Sequence, residues 1–490
     1  MLKVDWRGVA GNAVGAGVLA SVAAGLWDLP ALLAVFTPRG EPTGAAFVLA
    51  AQLRWGAAVA AAFLVLRAAG LFETKAFGRL ILLLSRGSTA GWAWGIFALA
   101  LVLRLVYAVW AQSPPISDEQ YYDALATSLA AGKGYTSGGV AVAYWPVGYS
   151  ALVAAFYLLF GHYYFPVIIF QSVLGAATAA LLLFLARDFV GEGAARAAGL
   201  IVAFWPNHVA YASRLFPSTA VTFAVVAAAL IFVKLRGYRG AAAAGLVIGV
   251  TALATPVALV LAAAALACDL FRRTGIGKAL GRAAIVAAVA ALAVAPWALR
   301  NWRVFNALVP VSTNAGVNLW IGNNPKATGA YNYPTSRTNP IFMTEGELSR
   351  DRVGRALAWY FIRNESARFA MLAVPKFFYT YGDDISAFQL EGIGRGVEPA
   401  ASARHFAARV GQGYYALIWV GFVLGLAKFR RRIFPASPNA DVSVAALLVW
   451  PAALTLTYLI FFGAGRFHLP MVPFMAALAG AAAANGKGNR

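Results

Sequence analysis

Residues 90–122, AGWAWGIFALALVLRLVYAVWAQSPPISDEQYY, join an apolar run to a pair of acidic residues. The first part of this stretch is about 20 residues long and contains a single charge, Arg104, so it can cross a bilayer as a helix. Asp118 and Glu119 follow a few residues beyond the end of that helix. The stretch therefore predicts a transmembrane helix that delivers two adjacent carboxylates to a membrane surface.

Apolar runs of similar length recur along the chain, in which 61% of the residues are hydrophobic and 12% are charged. They lie at about 8–37, 44–72, 90–111, 163–186, 194–212, 217–234, 241–254, 256–271, 283–299, 413–427, 442–462 and 468–485. A soluble domain does not have this composition. We therefore predict an all-α polytopic membrane protein with about 11–13 transmembrane helices.

The distribution of basic residues predicts the orientation of these helices. The formal net charge is +21, but the cations form short clusters between apolar runs rather than a continuous nucleic-acid-binding stripe. Such clusters mark cytoplasmic loops, and no nucleic-acid partner is expected. The clusters are Lys75, Arg79 and Arg86; Arg187 and Arg196; Arg236 and Arg239; Arg272, Arg273, Lys278 and Arg282; and Lys428, Arg430, Arg431 and Arg432.

The remaining segments then face the outer side of a bacterial inner membrane. They are a first outer loop at about 112–162, a long segment at about 300–412 and the short turn that contains Arg466. Nearly all the unusual polar residues lie in these segments, so we expect an extracytoplasmic active site. Amphipathic or short apolar stretches at about 350–381 and 150–160 predict juxtamembrane helices on this face.

Four regions follow from this organisation. They are N-terminal membrane segments at 1–89, a transmembrane core with the first outer loop at 90–299, an extracytoplasmic helical segment at 300–412, and C-terminal transmembrane helices at 413–490. Cys268 is the single cysteine and lies in an apolar run, which excludes an internal disulfide framework.

The acidic pair has two interpretations. A carboxylate at a membrane surface can act as the general base that removes a proton from an acceptor hydroxyl. Alternatively, Ser117 and Gln120 form a capping box, with Asp118 and Glu119 as first-turn acids favoured by the helix dipole. Arg104 has a similar ambiguity, because an arginine inside an apolar span is either functional or paired, or it extends its charged end to the interface.

Three ordered motifs resemble bacterial members of glycosyltransferase family 39, the relatives of dolichyl-phosphate-mannose protein mannosyltransferases and of the lipid A aminoarabinose transferase. The first comprises LRL at 103–105, PPISDEQYY at 114–122, GKGY at 132–135 and GY at 148–149. The second comprises PWALRNWRVF at 296–305, PVSTNAG at 310–316 and GNNP at 322–325. The third is RFHLP at 466–470, followed by Pro473.

The resemblance implies a GT-C fold and a polyprenyl-phosphate-linked sugar as donor. It implies that Asp118 is the catalytic aspartate and that Glu119 is its acidic neighbour, in contact with acceptor or metal. Arg104 resembles the arginine of the preceding span, and we predict that it binds the donor phosphate together with Arg300 and Arg466. A guanidinium matches a phosphate bidentately, although each arginine near a helix end could also be an interfacial anchor.

Further predictions concern substrate and metal. Side chains suited to sugar hydroxyls and sugar rings are Tyr121, Tyr122, Tyr149, Asn314 and Asn323. No cofactor is certain from the sequence. A divalent cation could bind at Glu119 with Asp118 or Asp123, but the scattered histidines show no metal-ligand spacing.

The sequence therefore predicts an inverting glycosyltransferase that moves a sugar from a polyprenyl-phosphate donor to an envelope acceptor, which is a lipid, a glycan or a protein. Membrane lipids are the other expected partners. The alternative is a polytopic transporter or flippase of lipid-linked sugars, which should show midplane polar groups and symmetric halves. A noncatalytic assembly scaffold would tolerate the loss of Asp118. The concentration of polar residues on one face favours the enzyme.

Overall fold

The computed structural model describes residues 86–483 except for 112–113, 333–338, 390–400 and 434–442, together with residues 54, 57, 58 and 61. The predicted run at 8–37, and all of the run at 44–72 except those four positions, lie outside the described residues.

Helices dominate the described part of the chain. In chain order they are α1 Thr89–Trp110, α2 Asp118–Ala130, α3 Val147–Phe160, α4 Tyr164–Val190, α5 Glu192–Phe204, α6 Pro206–Tyr211, α7 Ser218–Lys234, α8 Gly237–Ala252, α9 Leu261–Phe271, α10 Ile276–Phe305, α11 Ala315–Gly322, α12 Pro340–Met343, α13 Glu347–Asn364, α14 Ser366–Tyr381, α15 Ser386–Gln389, α16 Ala401–Ile433, α17 Ser443–Ile460 and α18 Val472–Ala483. Two 3-10 turns, Pro256–Val260 and Gly465–His468, and one strand pair, β1 Thr136–Ser137 with β2 Val140–Ala141, complete these elements. The all-α prediction is confirmed.

Five of the described helices are long and apolar enough to cross a membrane. They are Thr89–Trp110, Tyr164–Val190, Ile276–Phe305, His405–Ile433 and Ser443–Ile460. Shorter apolar helices pack against them, among them α7 on α4, and α18 on α4 and α16. The expected multi-pass helical protein is thus present in the described part of the chain.

One predicted span is divided in two. The run at 194–212 forms α5 and α6, which meet at Trp205 in an extended conformation, with φ −64° and ψ 109°. Pro206 causes this break, because a proline disfavours helical geometry in the residue before it. The prediction of a single span here was wrong, and the break places the short α6 in the interior, where Asn207 and His208 are fully buried.

Small residues let the helices approach closely. Gly245 and Gly249 of α8 face α10, and a Cβ atom at either would lie 2.7 Å from the carbonyl oxygen of Val286 or Ala290. Gly245 and Gly249 are four residues apart, the spacing of small residues at tight membrane helix interfaces. The small Gly side chains at these positions therefore allow the backbones of α8 and α10 to pack in contact.

The segments predicted to face the outer side form a helical layer, called the outer layer below. The predicted amphipathic stretch at about 350–381 is two helices, α13 and α14, which are separated at Glu365. Close packing at Gly316 and Gly354 joins α11 to α13, since a Cβ on Gly354 would lie 2.8 Å from the Gly316 carbonyl oxygen. The short helix expected near 150–160 is α3.

The first outer loop is fastened to this layer through the β1–β2 hairpin. Gly138 and Gly139 form its two-residue turn with φ of 58° and 81°, a left-handed geometry that glycine adopts without strain. The backbone N–H of Thr313 donates to the carbonyl oxygen of Ala143 at 3.0 Å. The backbone N–H of Ala143 donates to Oε1 of Glu347 at 2.6 Å, and so the loop is held against the start of α13.

Candidate functional site

The first turn of α2 carries the acidic pair, and it is capped in an unexpected way. Ser117 has φ 52° and its side chain makes no capping hydrogen bond. Instead, the carboxylate of Glu119 accepts a hydrogen bond from the backbone N–H of Ile116 at 3.1 Å. The capping box of Ser117 and Gln120 is thus absent, and Glu119 itself closes the start of the helix.

Glu119 also forms a buried ion pair with Arg214. The Nε of Arg214 donates to Oε1 at 2.7 Å and Nη2 donates to Oε2 at 3.0 Å, a bidentate arrangement that excludes solvent almost completely. Burial raises the pKa of Glu119, and the positive charge of Arg214 opposes that rise. This carboxylate therefore joins α2 to the turn before α7 and has no open side toward a substrate.

Arg214 is a residue that the motif analysis missed. It lies between two apolar runs, three positions before Pro217, in the turn that links α6 to α7. A single arginine at such a position reads from sequence as an interfacial anchor. Its pairing with Glu119 becomes visible only when the turn folds back onto α2.

The side chain of Asp118 is partly exposed, unlike that of Glu119, and it forms an ion pair with Arg466. The nearest atoms are Oδ2 of Asp118 and Nη2 of Arg466, at 3.5 Å, and each side chain is about one-third exposed. The Arg466 guanidinium also lies 5.2 Å from the ring centre of Phe216 and 5.7 Å from that of Phe467. The structure thus brings together two predicted site residues from distant parts of the sequence, and leaves both accessible.

A buried polar cluster fixes the turn that bears Arg466. Asp384 accepts hydrogen bonds from Nε1 of Trp205 at 2.5 Å, from Nε2 of His468 at 2.8 Å and from the side-chain amide of Asn207. Nδ1 of His468 faces the carbonyl oxygen of Thr380 at 2.7 Å. Both ring nitrogens of His468 therefore face oxygen atoms, which fixes the orientation of the ring. Burial raises the pKa of Asp384, while His468 opposes this.

Arg104 does not reach this site. Its guanidinium is fully buried and donates to the carbonyl oxygens of Ala100 at 3.0 Å and Ala203 at 3.3 Å. It also contacts Nδ1 of His208 at 2.9 Å. The structure therefore places Arg104 inside the packing of α1, α5 and α6, where it satisfies the carbonyl groups at the end of α5, and not beside Asp118.

Arg300 is also engaged with the protein. Its Nη1 donates to the carbonyl oxygen of Val142 at 2.9 Å, its Nη2 donates to that of Tyr135 at 3.0 Å, and it lies over the ring of Trp297. These contacts hold the hairpin of the first outer loop against the end of α10. Of the three arginines predicted to bind phosphate, Arg466 is the one in contact with Asp118.

The predicted aromatic contacts have different environments. Tyr122 is buried edge-on against Tyr149, with ring centres 5.2 Å apart, and the Tyr149 hydroxyl donates to Gln171 at 2.8 Å. Tyr121 is 50% exposed and stacks on Trp145, with ring centres 4.0 Å apart and planes inclined by 17°. Tyr121 is therefore open to a ligand, whereas Tyr122 and Tyr149 support the fold beneath Asp118.

The two predicted asparagines are occupied by protein groups. The Asn314 side-chain oxygen accepts from the Ser312 hydroxyl at 2.9 Å. Asn323 is fully buried, donates to the carbonyl oxygen of Ile460 at 2.8 Å and accepts from Nζ of Lys376 at 2.8 Å. Burial lowers the pKa of Lys376 to about 7. Asn323 thus joins the outer layer to the end of α17.

Two of the carboxylates considered for a metal ion, Asp123 and Glu119, are engaged by protein groups. Asp123 accepts from the Tyr157 hydroxyl at 2.6 Å, from Nε2 of His162 at 2.8 Å and from the Tyr164 hydroxyl at 3.1 Å. Glu119 is occupied by Arg214. Within the described residues, no group of three or more His, Cys, Asp or Glu side chains could hold a metal ion.

Solved structures similar to this chain include an archaeal oligosaccharyltransferase and ArnT. One is the Archaeoglobus fulgidus oligosaccharyltransferase in complex with an inhibitory peptide and a dolichol-phosphate, at 15% identity over 80% of this chain and 50% of that chain, with a TM-score of 0.47. Another is ArnT from Cupriavidus metallidurans bound to undecaprenyl phosphate, at 14% identity over 81% of this chain and 78% of that chain, with a TM-score of 0.38.

The chain spans about half the length of the archaeal enzyme. No protein-family model matches it, and no curated protein matches it in sequence. Membership of glycosyltransferase family 39 therefore stays a prediction from the motifs.

Proposed function

We propose that this protein is an inverting glycosyltransferase that moves a sugar from a polyprenyl-phosphate donor to an acceptor on the outer face of the inner membrane. The pairing of Asp118 with Arg466 at an accessible surface supports this proposal most directly. Transfer from a lipid phosphate needs a base for the acceptor and a cation for the leaving group. Asp118 is a suitable base and Arg466 a suitable cation, and their nearest side-chain atoms are 3.5 Å apart.

The proposed reaction is a single displacement at the anomeric carbon. Asp118 takes the proton of the acceptor hydroxyl as its oxygen forms a bond to that carbon. The bond between the carbon and the phosphate oxygen breaks, and polyprenyl phosphate leaves with the electron pair. Arg466 stabilises the charge that develops on the phosphate, because a guanidinium binds phosphate oxygens in a bidentate manner. The configuration at the anomeric carbon is inverted.

The ion pair between Glu119 and Arg214 holds the neighbouring Asp118 in position. Glu119 is bound to Arg214 and to the backbone of Ile116, and therefore the first turn of α2 is immobilised on its buried side. Catalysis by a positioned base requires this kind of support, since the base must lie within hydrogen-bond reach of the acceptor. We accordingly assign Glu119 a positioning role, in place of the acceptor or metal contact expected from the sequence.

The test is sugar transfer by the purified protein in lipid nanodiscs, with radiolabelled polyprenyl-phosphate sugars and an envelope extract as acceptor. We expect Asp118→Asn to lower the rate about 100- to 10,000-fold, the range for loss of a general base. Arg466→Gln should lower it about 100- to 1,000-fold, as for other groups that stabilise developing charge. Asp188→Asn is the matched control, because Asp188 is an exposed aspartate paired with Lys234 away from α2.

Full transfer by the Asp118→Asn variant would contradict the role of Asp118 as the base. If the native protein moves the lipid-linked donor across a bilayer but transfers no sugar, the flippase alternative is correct and the proposed enzyme is not.

A further inference from the structure

A cavity of about 590 Å³ opens between α2, the β1–β2 hairpin and the start of α13. Binding sites for small ligands usually have volumes of about 300–1,000 Å³. The residues that line it include Tyr121, Leu125, Ser128, Lys133, Trp145 and Glu347. The proposed reaction at Asp118 and Arg466 does not assign an occupant to this space.

The α2 wall of the cavity begins at Tyr121, three residues after Asp118. Asp118 and Leu125 are seven residues apart, so they point in directions about 20° apart around the helix axis. Tyr121 lies one turn after Asp118, about 4.5 Å further along that axis. Glu119 points into the core instead, where it binds Arg214. A molecule whose reacting hydroxyl lies at Asp118 can therefore extend along α2 into the cavity.

The lining is aromatic on one wall and polar at its edge. Tyr121 stacks on Trp145, and Tyr144 contacts Trp145 at a ring-centre distance of 4.6 Å. Lys133 is exposed at the edge. Sugar rings present apolar C–H faces that pack on aromatic rings and hydroxyl groups that accept hydrogen bonds from an ammonium group. This combination of an aromatic wall with a few polar groups suits a saccharide.

We propose that this cavity binds a saccharide part of the acceptor, so that the chain glycosylates a glycan or the sugar headgroup of a glycolipid. This inference rests on the proposed transferase function and names the class of its acceptor. One mode of peptide binding, pairing with a strand edge, is not favoured here, because β1 and β2 have two residues each.

The experiment is saturation-transfer-difference NMR with the purified full-length protein and neutral trisaccharides of glucose, mannose, galactose and N-acetylglucosamine. A Gly-Ser hexapeptide serves as the peptide probe. We expect saturation transfer to at least one trisaccharide, and its dissociation constant should increase about tenfold in Tyr121→Ala, as for loss of one aromatic contact. Tyr360→Ala is the matched control, since Tyr360 is also an exposed tyrosine of the outer layer, at 70% exposure, outside the cavity.

Asp118→Asn separates this inference from the proposed reaction. This variant should lose sugar transfer but still bind the trisaccharide, because the stacked rings of Tyr121 and Trp145 remain. Saccharide binding without any transfer by the native protein would refute the reaction and leave the cavity assignment standing. The assignment is overturned if no trisaccharide binds, if Tyr121→Ala and Tyr360→Ala bind equally well, or if the hexapeptide alone binds.

Discussion

Replacing Arg214 with methionine removes the partner of a carboxylate that is 3% exposed. Glu119 would keep its hydrogen bond from Ile116 but lose both bonds from the guanidinium. Breaking a buried ion pair in this way costs about 3–5 kcal/mol, because an uncompensated charge remains in a poorly solvated place. We therefore expect the free energy of unfolding of Arg214→Met to fall by about that amount at pH 8.

The pH dependence of the free energy of unfolding tests whether the buried charge of Glu119 causes the loss of stability. Burial raises the pKa of Glu119 and Arg214 opposes the rise, so the pKa should increase further in the variant. A carboxyl group whose folded-state pKa lies above its unfolded value stabilises the fold at low pH and loses that contribution as the pH rises through the folded-state pKa. The deficit of Arg214→Met should therefore be smaller at pH 5 than at pH 8.

The assay is unfolding in mixed detergent micelles with increasing sodium dodecyl sulfate, followed by circular dichroism at both pH values. The double variant Glu119→Gln with Arg214→Met is the control, since it removes the buried charge together with its partner. It should lose less stability than Arg214→Met at pH 8 and show little difference between the two pH values. An equal loss in the single and double variants, or a pH-independent loss, would refute this account of the pair.

Two further predictions concern other parts of the fold. The pKa of Lys376 is lowered to about 7 by burial. The native protein should therefore gain stability as the pH rises from about 7 towards 10, where the unfolded chain holds the extra proton, and Lys376→Met should lack this gain in the same unfolding assay. An identical pH profile for both proteins would exclude this explanation. At Gly249, a Cβ would lie 2.7 Å from the Ala290 carbonyl oxygen, so Gly249→Ala should lower the unfolding free energy by about 1–3 kcal/mol. Gly277→Ala, where a Cβ meets nothing within 4 Å, should lose no stability, and equal losses would contradict the packing argument.

The helices were largely predictable because bilayer-spanning segments need long apolar runs. The runs at 90–111 and 163–186 became α1 and α4 with similar bounds. The run at 413–427 underestimated α16, which begins at Ala401, because the amphipathic extension before it has no continuous apolar signal. The break at Pro206 was visible in the sequence but was outweighed by the apolar residues around it.

The site was less predictable than the helices. Orientation from basic clusters placed Asp118 and Arg466 on one face, and the structure puts them in contact. Arg104 and Arg300 look equivalent to Arg466 in sequence, yet backbone carbonyl groups occupy both guanidinium groups. The acceptor groups that an arginine side chain binds depend on which helix ends and loops pack around it in the folded protein. The residues next to an arginine in the sequence do not predict that arrangement.

Asp118 and Arg466 each lie within two residues of a buried side chain that is held by its own hydrogen bonds, which we call an anchor. The anchor beside Asp118 is Glu119, and the one two residues after Arg466 is His468, which Asp384 holds. Asp118 and Arg466 are each about one-third exposed and lie outside these two sets of buried bonds, so chemistry and folding can be tested separately at this surface. Substitutions at Asp118 and Arg466 report on the reaction, whereas substitutions at the neighbouring anchors report on assembly of the protein.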